Sequence, residues 1–354
     1  MRGGTSRGPF FSAADLRSDI ALRDRVLLAV MGSPDKRQID GLGGAHPLTS
    51  KVGIVRRGSK TGVDLDFLFA QLQPDKDTVD TTPNCGNMLA AVVPFALETG
   101  MVQPQGTAST FRVLTLNTDM QCDITVQTPG GHVEYEGDAR IDGVPGTSAP
   151  ITVNFLDTAG SVCAGLLPTG RVRDVIDGIA VTCIDNGMPL VMLRATDVGR
   201  SGYEDVGEIN ADTELKARIE RLRLACGVAM GLGDVTAKNY PKMTLIAAPR
   251  HGGSLCTRSF IPHVCHDAIG VLAAVTVGTA CVLEGSVCDG VAVVPEGGVK
   301  NVSVEHPTGE FSVALEVDPA NPQDVTRAAL LRTARLIMRG EVMIPASVWK
   351  GKRS

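Results

Sequence analysis

Two long apolar runs, each free of charge in its interior, dominate the hydrophobic pattern of the chain. The first covers 88–97 and is closed by Glu98-Thr99-Gly100, and the second covers 267–284 with one charge at each end. A segment that is apolar on every face is typical of a buried helix. The pattern therefore predicts two buried helices, at 85–99 and 266–284, with a kink at Pro94 in the first.

The start of the first helix follows from its capping residues. Asn84 is a suitable N-cap, which makes Cys85 the first helical residue, and Gly100 is a suitable terminator. The helix dipole and free N–H groups favour the thiolate of a cysteine at such a position. Small free cysteines are also common in cores, so the pattern alone leaves Cys85 either reactive or structural. The second helix is expected to begin at Cys265-His266.

Shorter segments with strand-like alternation surround each run. They include 48–55, 63–72, 110–116, 120–128 and 132–137 in the first half, and 151–155, 179–184, 190–194, 242–248, 290–295, 299–305, 311–317 and 328–338 in the second. The repeated rhythm predicts two similar α/β (α+β) domains, 1–150 and 151–334, each with a central helix. The tail 335–354 is expected to pack on the first domain. Two such halves facing each other would direct both helix starts into one cleft suited to carboxylates.

Composition excludes several classes of protein. The net charge is −5 with no basic block, which argues against nucleic-acid binding. The nine cysteines are an odd number without a C-x-x-C pair, which argues against a disulfide framework and a zinc site. No run of 18 apolar residues and no signal peptide is found, so no membrane association is expected. We expect a reduced, cytoplasmic protein without a metal, and possible assembly into homo-oligomers.

Candidate chemistry lies in three further segments. The opening Met1–Gly8 is rich in glycine and hydroxyl groups, which is typical of anion-binding loops, although a frayed end gives the same composition. A strand is expected to precede Met1. Lys51 begins a predicted strand among small and apolar residues, either near the core or as an exposed lysine. Asn186-Gly187 indicates a hairpin or a set of backbone donors for a ligand.

Taken together, these motifs resemble the methylaconitate isomerase family, whose fold is diaminopimelate-epimerase-like. The resemblance spans essentially the whole chain. Each motif alone is weak, and their combination is specific. The segments that carry it are Met1–Gly8, 33–44, 49–52, Asn84-Cys85-Gly86-Asn87, Cys183–Pro189, Pro241-Lys242-Met243 and Thr257–His263.

The resemblance implies two domains, each a curved, mostly antiparallel sheet wrapped around a central helix, with the site between them. It implies no cofactor, and it implies Lys51 and Cys85 as the catalytic pair. The family often has lysine in place of Arg7, and about ten residues before Met1. The implied substrate-binding residues are Arg2, Gly3, Gly4, Thr5, Ser6, Ser50, Asn84, Gly86, Asn87, Asn186, Gly187, Met188, Arg258, Ser259 and His266.

The implied activity is keto–enol tautomerisation of a small tricarboxylate, 4-oxalomesaconate, as in the degradation of gallate and other aromatic acids. A lysine base needs a pKa well below its ordinary value of roughly 10.4. Arg2 and Arg258 are expected to assist while binding carboxylates. His266 is either a structural cap or a donor to substrate. The alternatives are a 1,3-allylic isomerase of aconitate-type tricarboxylates and a non-catalytic tricarboxylate-binding protein.

Overall fold

The computed structural model describes residues 1–156, 158–318 and 321–349. Its secondary structure is mixed α/β, as predicted. The strands are β1 (Arg2–Gly3), β2 (Ser6–Arg7), β3 (Phe10–Ser12), β4 (Lys51–Arg57), β5 (Leu65–Leu72), β6 (Val79–Asp80), β7 (Ala108–Thr115), β8 (Met120–Gln127), β9 (Ile151–Phe155), β10 (Asp174–Ile176), β11 (Ile179–Asp185), β12 (Pro189–Arg194), β13 (Lys242–Ala247), β14 (Leu255–Phe260), β15 (Val299–His306), β16 (Gly309–Asp318), β17 (Asn321–Arg332) and β18 (Ala334–Arg335).

The helices are fewer and mostly short. They are α1 (Ile20–Met31), α2 (Gly86–Leu89), α3 (Val92–Glu98), α4 (Val206–Ala211), α5 (Thr213–Ala229) and α6 (Val271–Val282), with 3-10 turns at Ala13–Asp15, Pro47–Thr49, Pro129–Gly131 and Ala195–Val198. Within the described ranges, no helix combines the length and apolar character that crossing a membrane requires.

The chain forms two compact units. Unit 1 comprises Met1–Leu156 and Leu331–Ser354, and unit 2 comprises Asp157–Leu330. The domain limits expected from the sequence, 150/151 and 334/335, stay a prediction. Residues 350–354 of the predicted tail lie outside the described residues.

The sheet of unit 1 runs in the order β3-β4-β5-β7-β8-β9, with β6 on the edge of β5 and a separate group β2-β1-β18. Most neighbours are antiparallel, and β3–β4 and β5–β7 are parallel. One face packs against α1 and against Val342, Ile344, Val348 and Trp349 of the tail. The ring of Phe10 lies 6.4 Å from that of Phe67 and 5.7 Å from that of Phe95. Since Phe95 belongs to α3, the odd-numbered residues of β5 face the α2–α3 segment.

The sheet of unit 2 runs in the order β10-β11-β12-β13-β14-β15-β16-β17. The pairs β12–β13 and β14–β15 are parallel, and the other pairs whose register is defined are antiparallel. The helix α6 packs against β11, β12, β15 and β16. The helix α5 covers a second apolar cluster that includes Met243, Leu245 and Phe260. Each unit thus has a predominantly antiparallel sheet packed against a central helical segment.

The prediction of one helix over 85–99 is wrong, because the segment forms two helices. It is divided into α2 and α3 at Ala90-Ala91, one turn before Pro94 rather than at it. Proline has no N–H for the carbonyl four residues earlier, and its ring collides with that carbonyl. Pro94 therefore occupies the first turn of a new helix, where an N–H would have no intrahelical partner. Cys85 is the N-cap of α2, with φ −135° and ψ 98°, and not its first helical residue.

The second predicted helix, 266–284, starts too early. Gly270 is the N-cap of α6, and Val282 is its last residue. Cys265 pairs with Phe260 in an isolated bridge, and the His266 N–H donates to Ser259 O at 2.9 Å. Both residues pair with the end of β14, so Cys265-His266 does not form the start of the helix.

Candidate active site

Lys51 is the first residue of β4, and its side chain is buried, with 8% exposed. Its Nζ donates to Gln71 Oε1 at 2.5 Å and lies 5.0 Å from the centroid of the Phe69 ring. In the part of the chain that the structure describes, no carboxylate forms an ion pair with it. The interpretation of Lys51 as an exposed lysine is therefore wrong. The amine is instead held beneath the surface by a neutral acceptor.

Cys85 lies in the same unit and is partly exposed. The helix that follows it has only four residues, so its dipole is one turn long and offers the thiolate little support. Gly86, the first helical residue, is buried. Among the cysteines of the described residues, Cys85 shares partial exposure with Cys163, and the others are buried.

The N-terminal segment is packed directly on α2, and the frayed-end interpretation is wrong. A Cβ added to Gly3 would lie 2.3 Å from Asn87 O, and one added to Gly4, which has φ +50°, would lie 2.1 Å from Asn87 Oδ1. Only glycine fits this contact. Asn87 Nδ2 donates to Thr5 Oγ1 at 2.9 Å, which ties the loop to the helix. The segment is also paired as β1 and β2.

The same segment reaches Lys51. A Cβ added to Gly8 would lie 1.7 Å from Lys51 O, so the backbones of the two residues are in contact. Arg7, which precedes it, is exposed, and its Nη2 lies near Gly44. The glycines of the opening loop therefore bring one short segment against both β4 and α2.

Two of the residues predicted to bind substrate in this unit have a buried polar atom without a hydrogen-bond partner among the described residues. One is Ser6 Oγ, on a residue with 1% exposed, and the other is Asn84 Oδ1. The Asn84 amide nitrogen is occupied by Thr118 Oγ1 and by Thr115 Oγ1 at 3.4 Å. Unsatisfied buried groups are rare and costly in folded proteins. Among the described residues both atoms are unpaired acceptors, and the Ser6 hydroxyl is also an unpaired donor.

Other predicted binding residues of unit 1 are engaged by the protein itself. Arg2 Nη1 donates to Gly4 O at 3.0 Å and to Thr333 Oγ1 at 2.9 Å. Burial, and then the positive charge of Arg335, lower the pKa of Arg2. The Ser50 hydroxyl is within 2.8 Å of His46 O and 2.9 Å of Gln38 Oε1. Their predicted contact with substrate stays a prediction, and both residues serve the local scaffold.

In unit 2, Asn186-Gly187-Met188 joins β11 to β12, which confirms the hairpin. Both ends of the Asn186 amide are engaged, because Oδ1 accepts from Thr158 Oγ1 at 2.5 Å and Nδ2 donates to Thr279 Oγ1 at 2.8 Å. Gly187 has φ +94°, and a Cβ there would lie 3.1 Å from the Leu272 side chain. This turn is fixed against α6, and its backbone and the partly exposed Met188 stay available for the predicted ligand contact.

Arg258 and Ser259 are neighbours on β14, so their side chains point to opposite faces of the sheet. Arg258 Nε donates to Glu204 O at 2.7 Å, and its Nη1 donates to Thr257 O at 2.9 Å. The Ser259 hydroxyl is 3.2 Å from Thr244 Oγ1. Arg258 and Ser259, which are both predicted substrate contacts, therefore do not present their side chains on the same face of the sheet.

His266 is exposed, and its Nδ1 accepts from Ala268 N at 3.0 Å. It caps a local turn and not α6. The neighbouring Cys265 is 2% exposed. Burial raises the pKa of the Cys265 thiol to about 11, against the opposing effect of the Arg258 charge. No group of three or more potential metal ligands is found within the described residues.

Gln71 was missed by sequence reasoning, since no motif contains it. Its signal was the alternation of 63–72, which places Phe69 and Gln71 on one face of a strand. The partner strand and its register, with Lys51 opposite Gln71, come from the structure.

Comparison with known proteins places the chain. Residues 1–345 match the family described as PrpF protein. The chain belongs to the PrpF family. It is 57% identical over 344 residues to the (4E)-oxalomesaconate Delta-isomerase of Novosphingobium sp. (strain KA1), covering 97% of this chain and 96% of that protein. It is 52% identical over 351 residues to the 4-oxalomesaconate tautomerase of Pseudomonas putida, covering 99% and 96%.

A solved structure supports the same placement. The PrpF-family chain is similar to the crystal structure of methylitaconate-delta-isomerase, with a TM-score of 0.85, 33% identity, and 98% of this chain and 95% of that chain covered. The fold class expected from the sequence is confirmed. With relatives at this identity named as isomerases, the protein is an isomerase.

Proposed function

We propose that this isomerase interconverts the keto and enol forms of 4-oxalomesaconate, with Lys51 and Cys85 as the proton-transfer groups. The proposed substrate rests on one observation: over nearly the whole chain, the protein is 57% and 52% identical to two enzymes named for oxalomesaconate. Unit 1 supports the chemistry with a buried amine that has no carboxylate partner among the described residues and with a partly exposed thiol.

The substrate makes the chemistry accessible to two weak proton carriers. Its methylene lies between a keto acid and a conjugated double bond, so loss of one proton gives a delocalised dienolate. One group removes that proton, and a second group delivers a proton to the keto oxygen. An amine and a thiol each exchange one proton at one atom. The balance therefore closes with a C–H bond broken and an O–H bond formed, without oxidation or reduction.

The orphaned hydroxyl of Ser6 supports carboxylate recognition. Ser6 Oγ has a proton to donate and no partner among the described residues, and it lies in the segment that contacts both β4 and α2. A hydroxyl donor to a carboxylate makes a charge-assisted hydrogen bond. The proposal uses Ser6 and the neighbouring loop as one carboxylate contact.

A second candidate is favoured by the relative named a Delta-isomerase. A 1,3-allylic shift passes through the same dienolate and returns the proton to the far alkene carbon instead of the keto oxygen. The same two residues serve both reactions. The relative named 3-methylitaconate isomerase from Eubacterium barkeri, 35% identical, gives this candidate further support. The reactions differ only in the atom that is reprotonated.

The test is proton NMR of the product in D₂O with 4-oxalomesaconate, 3-methylitaconate and 2-methylaconitate as separate substrates. Tautomerisation is expected to give the enol of 4-oxalomesaconate, which an ultraviolet assay follows. Allylic isomerisation would place deuterium on the far carbon and shift the double bond. The first product supports the main proposal, and the second replaces it with the second candidate. Tight binding with no turnover of any of the three would indicate a non-catalytic binding protein.

Lys51→Met tests Lys51 as a proton-transfer group in the same assay. The variant keeps the length of the side chain and loses the amine, and kcat is expected to fall on the order of 10²–10⁴-fold. Lys60→Met is the matched control, because Lys60 is exposed and its Nζ pairs with Asp119 at 2.6 Å in the same unit. A near-normal kcat for Lys51→Met would remove Lys51 from the mechanism.

A further inference from the structure

We propose that Gln71 is the positioning residue of Lys51. Its amide oxygen holds the Lys51 amine, while its amide nitrogen is anchored in the turn that precedes Lys51. The inference rests on the proposed function, because Gln71 acts on the reaction only through Lys51. The contact does not lie on an exposed surface, because Lys51 is buried and Gln71 is partly buried on β5.

The two side chains are direct cross-strand neighbours. Lys51 of β4 lies opposite Gln71 of β5 in the antiparallel register, and their side chains share a face of the sheet. Phe69 lies two residues before Gln71 on that face, with its ring 5.0 Å from Lys51 Nζ. The Lys51 stem is thus confined by a ring and its terminal atom by an amide oxygen.

The orientation of the Gln71 amide is fixed by its other end. Nε2 is 2.8 Å from Leu72 O, 3.1 Å from Pro47 O and 3.3 Å from Ser50 O, and all three are acceptors. A flipped amide would set its oxygen against three carbonyl oxygens and its NH₂ against the Lys51 amine. The oxygen must therefore face Lys51. The carbonyl groups of Pro47 and Ser50, at the two ends of the 3-10 turn before β4, anchor the amide nitrogen.

The acceptor is neutral, and this suits a group that exchanges protons. An ammonium and a neutral amine can each donate one N–H to an amide oxygen, so the contact survives in both states. A carboxylate at the same place would favour the ammonium. Gln71 therefore fixes the position of the amine without fixing its protonation state.

Two other ionisable groups near this contact, Asp80 and His46, form hydrogen bonds of their own. Asp80 of β6, which pairs with Gln71, accepts from Thr82 N at 2.9 Å and Thr82 Oγ1 at 2.7 Å. His46, before the 3-10 turn, accepts from Leu48 N at Nδ1. Arg7, on β2, extends toward Gly44. On the elements that the structure packs against Lys51, Gln71 is its one hydrogen-bond acceptor.

The experiment compares Gln71→Leu, Gln71→Glu and the control Gln121→Leu, which makes the same change on β8 of the same unit. Each is assayed with whichever tricarboxylate the wild-type protein converts. Gln71→Leu is expected to lower kcat on the order of 10²-fold, because misplacing a reacting group by about 1 Å costs that much, with KM within about threefold. Gln121→Leu is expected to match the wild-type protein.

Gln71→Glu provides the readout that a structural role would not move. It keeps the acceptor oxygen but places a carboxylate beside the Lys51 amine, which favours the ammonium form. If Lys51 is the group that takes the proton, the rising limb of the kcat profile is therefore expected at least about one pH unit above that of the wild-type protein. Lys51→Met combined with Gln71→Leu is expected to be no slower than Lys51→Met alone, since both act through one amine.

The outcomes separate this inference from the proposed function. An inactive wild-type protein would overturn the proposed function and be seen before any variant is made. A wild-type protein and a Gln71→Leu variant of equal kcat, beside an inactive Lys51→Met, would overturn the role of Gln71 alone. If Gln71→Leu is unfolded by circular dichroism, Gln71→Glu decides the matter, and an unshifted pH profile in that variant overturns the proposal.

Discussion

The α2–α3 segment of unit 1 and α6 of unit 2 each pack on their own sheet, but the two begin in different ways. In unit 1 the residue that caps the helix is Cys85, and its thiol is partly exposed. In unit 2 the cap is Gly270, and Cys265 lies five residues earlier with 2% exposed. Cys265 is held at both backbone groups by the Asn210 side chain, at 2.8 and 3.2 Å.

Under the proposed function, this difference is the reason to expect that one thiol takes part in the reaction and not two. Burial raises the pKa of the Cys265 thiol to about 11, so it stays protonated and enclosed near neutral pH. Unit 1 instead combines an accessible thiol with a buried lysine amine. The two units repeat the arrangement of sheet and helix without repeating the surroundings of the cysteine.

The largest expected effect comes from a comparison of two single variants, Cys85→Ser and Cys265→Ser. Cys85→Ser is expected to lower kcat/KM on the order of 10²–10⁴-fold, because a serine hydroxyl is a much weaker acid and replaces one of two proton-transfer groups. Cys265→Ser is expected to stay within about threefold of the wild-type protein. Steady-state kinetics on the substrate identified by NMR measures both. Equal losses in the two variants would instead indicate a symmetric two-thiol mechanism.

Sequence pattern predicted the burial of both helices well and their starts poorly. An uncharged run of residues reports that all faces of a segment are buried. It does not report where helical hydrogen bonding begins, which depends on contacts distant in sequence. Cys265-His266 follows β14 as an extended edge because Phe260 and Ser259 supply its backbone partners. Nothing local to Asp267 or Ala268 indicates that pairing.

Packing contacts around the candidate site could be predicted where a local motif carries them. The contact of Gly3 and Gly4 with Asn87 shows why the opening glycines are needed, and the orphaned Ser6 hydroxyl is among the residues expected from the resemblance. Gln71 could not be found in this way, because its importance lies in a cross-strand register. The engagement of Arg2 with Thr333 also joins residues at opposite ends of the chain.

The second prediction uses the buried thiol of unit 2 as a probe of alkaline stability. The pKa of Cys265 is about 11 in the folded protein and 9.0 ordinarily, so its neutral form is favoured by folding. The resulting stability is present in full below pH 9 and is lost as the pH rises through 11, because the unfolded chain ionises first. At pH 10.5 the loss is about 2 kcal/mol for this group.

Urea unfolding of the wild-type protein and Cys265→Ser at pH 7, 8 and 10.5 measures this term. The difference in free energy of unfolding between the two proteins is expected to be equal at pH 7 and 8. It is expected to shrink by about 2 kcal/mol at pH 10.5. A constant difference at all three values would mean that the Cys265 thiol ionises as readily in the folded chain as in the unfolded chain, and its contrast with Cys85 would then rest on exposure alone.

The smallest expected effect concerns the interruption between α2 and α3. Pro94→Ala restores an N–H for the Ala90 carbonyl and removes the ring that prevents a continuous helix. It also returns conformational freedom to the unfolded chain, at a cost of about 0.4–1 kcal/mol. The interruption has a second support, because Ala91 Cβ lies 3.1 Å from the Cβ position of Gly3 in the N-terminal segment.

With that support in place, Pro94→Ala is expected to lower the free energy of unfolding by less than about 1 kcal/mol and to leave kcat within about threefold. Gly3→Ala is the informative companion, because its Cβ would collide with Asn87 O at 2.3 Å and displace the segment that holds α2. Chemical unfolding and steady-state kinetics measure both variants. A large loss of kcat in Pro94→Ala with normal stability would show that the proline alone sets the position of Cys85. The difference between the two helix starts would then trace to one residue and not to the packing of the N-terminal segment.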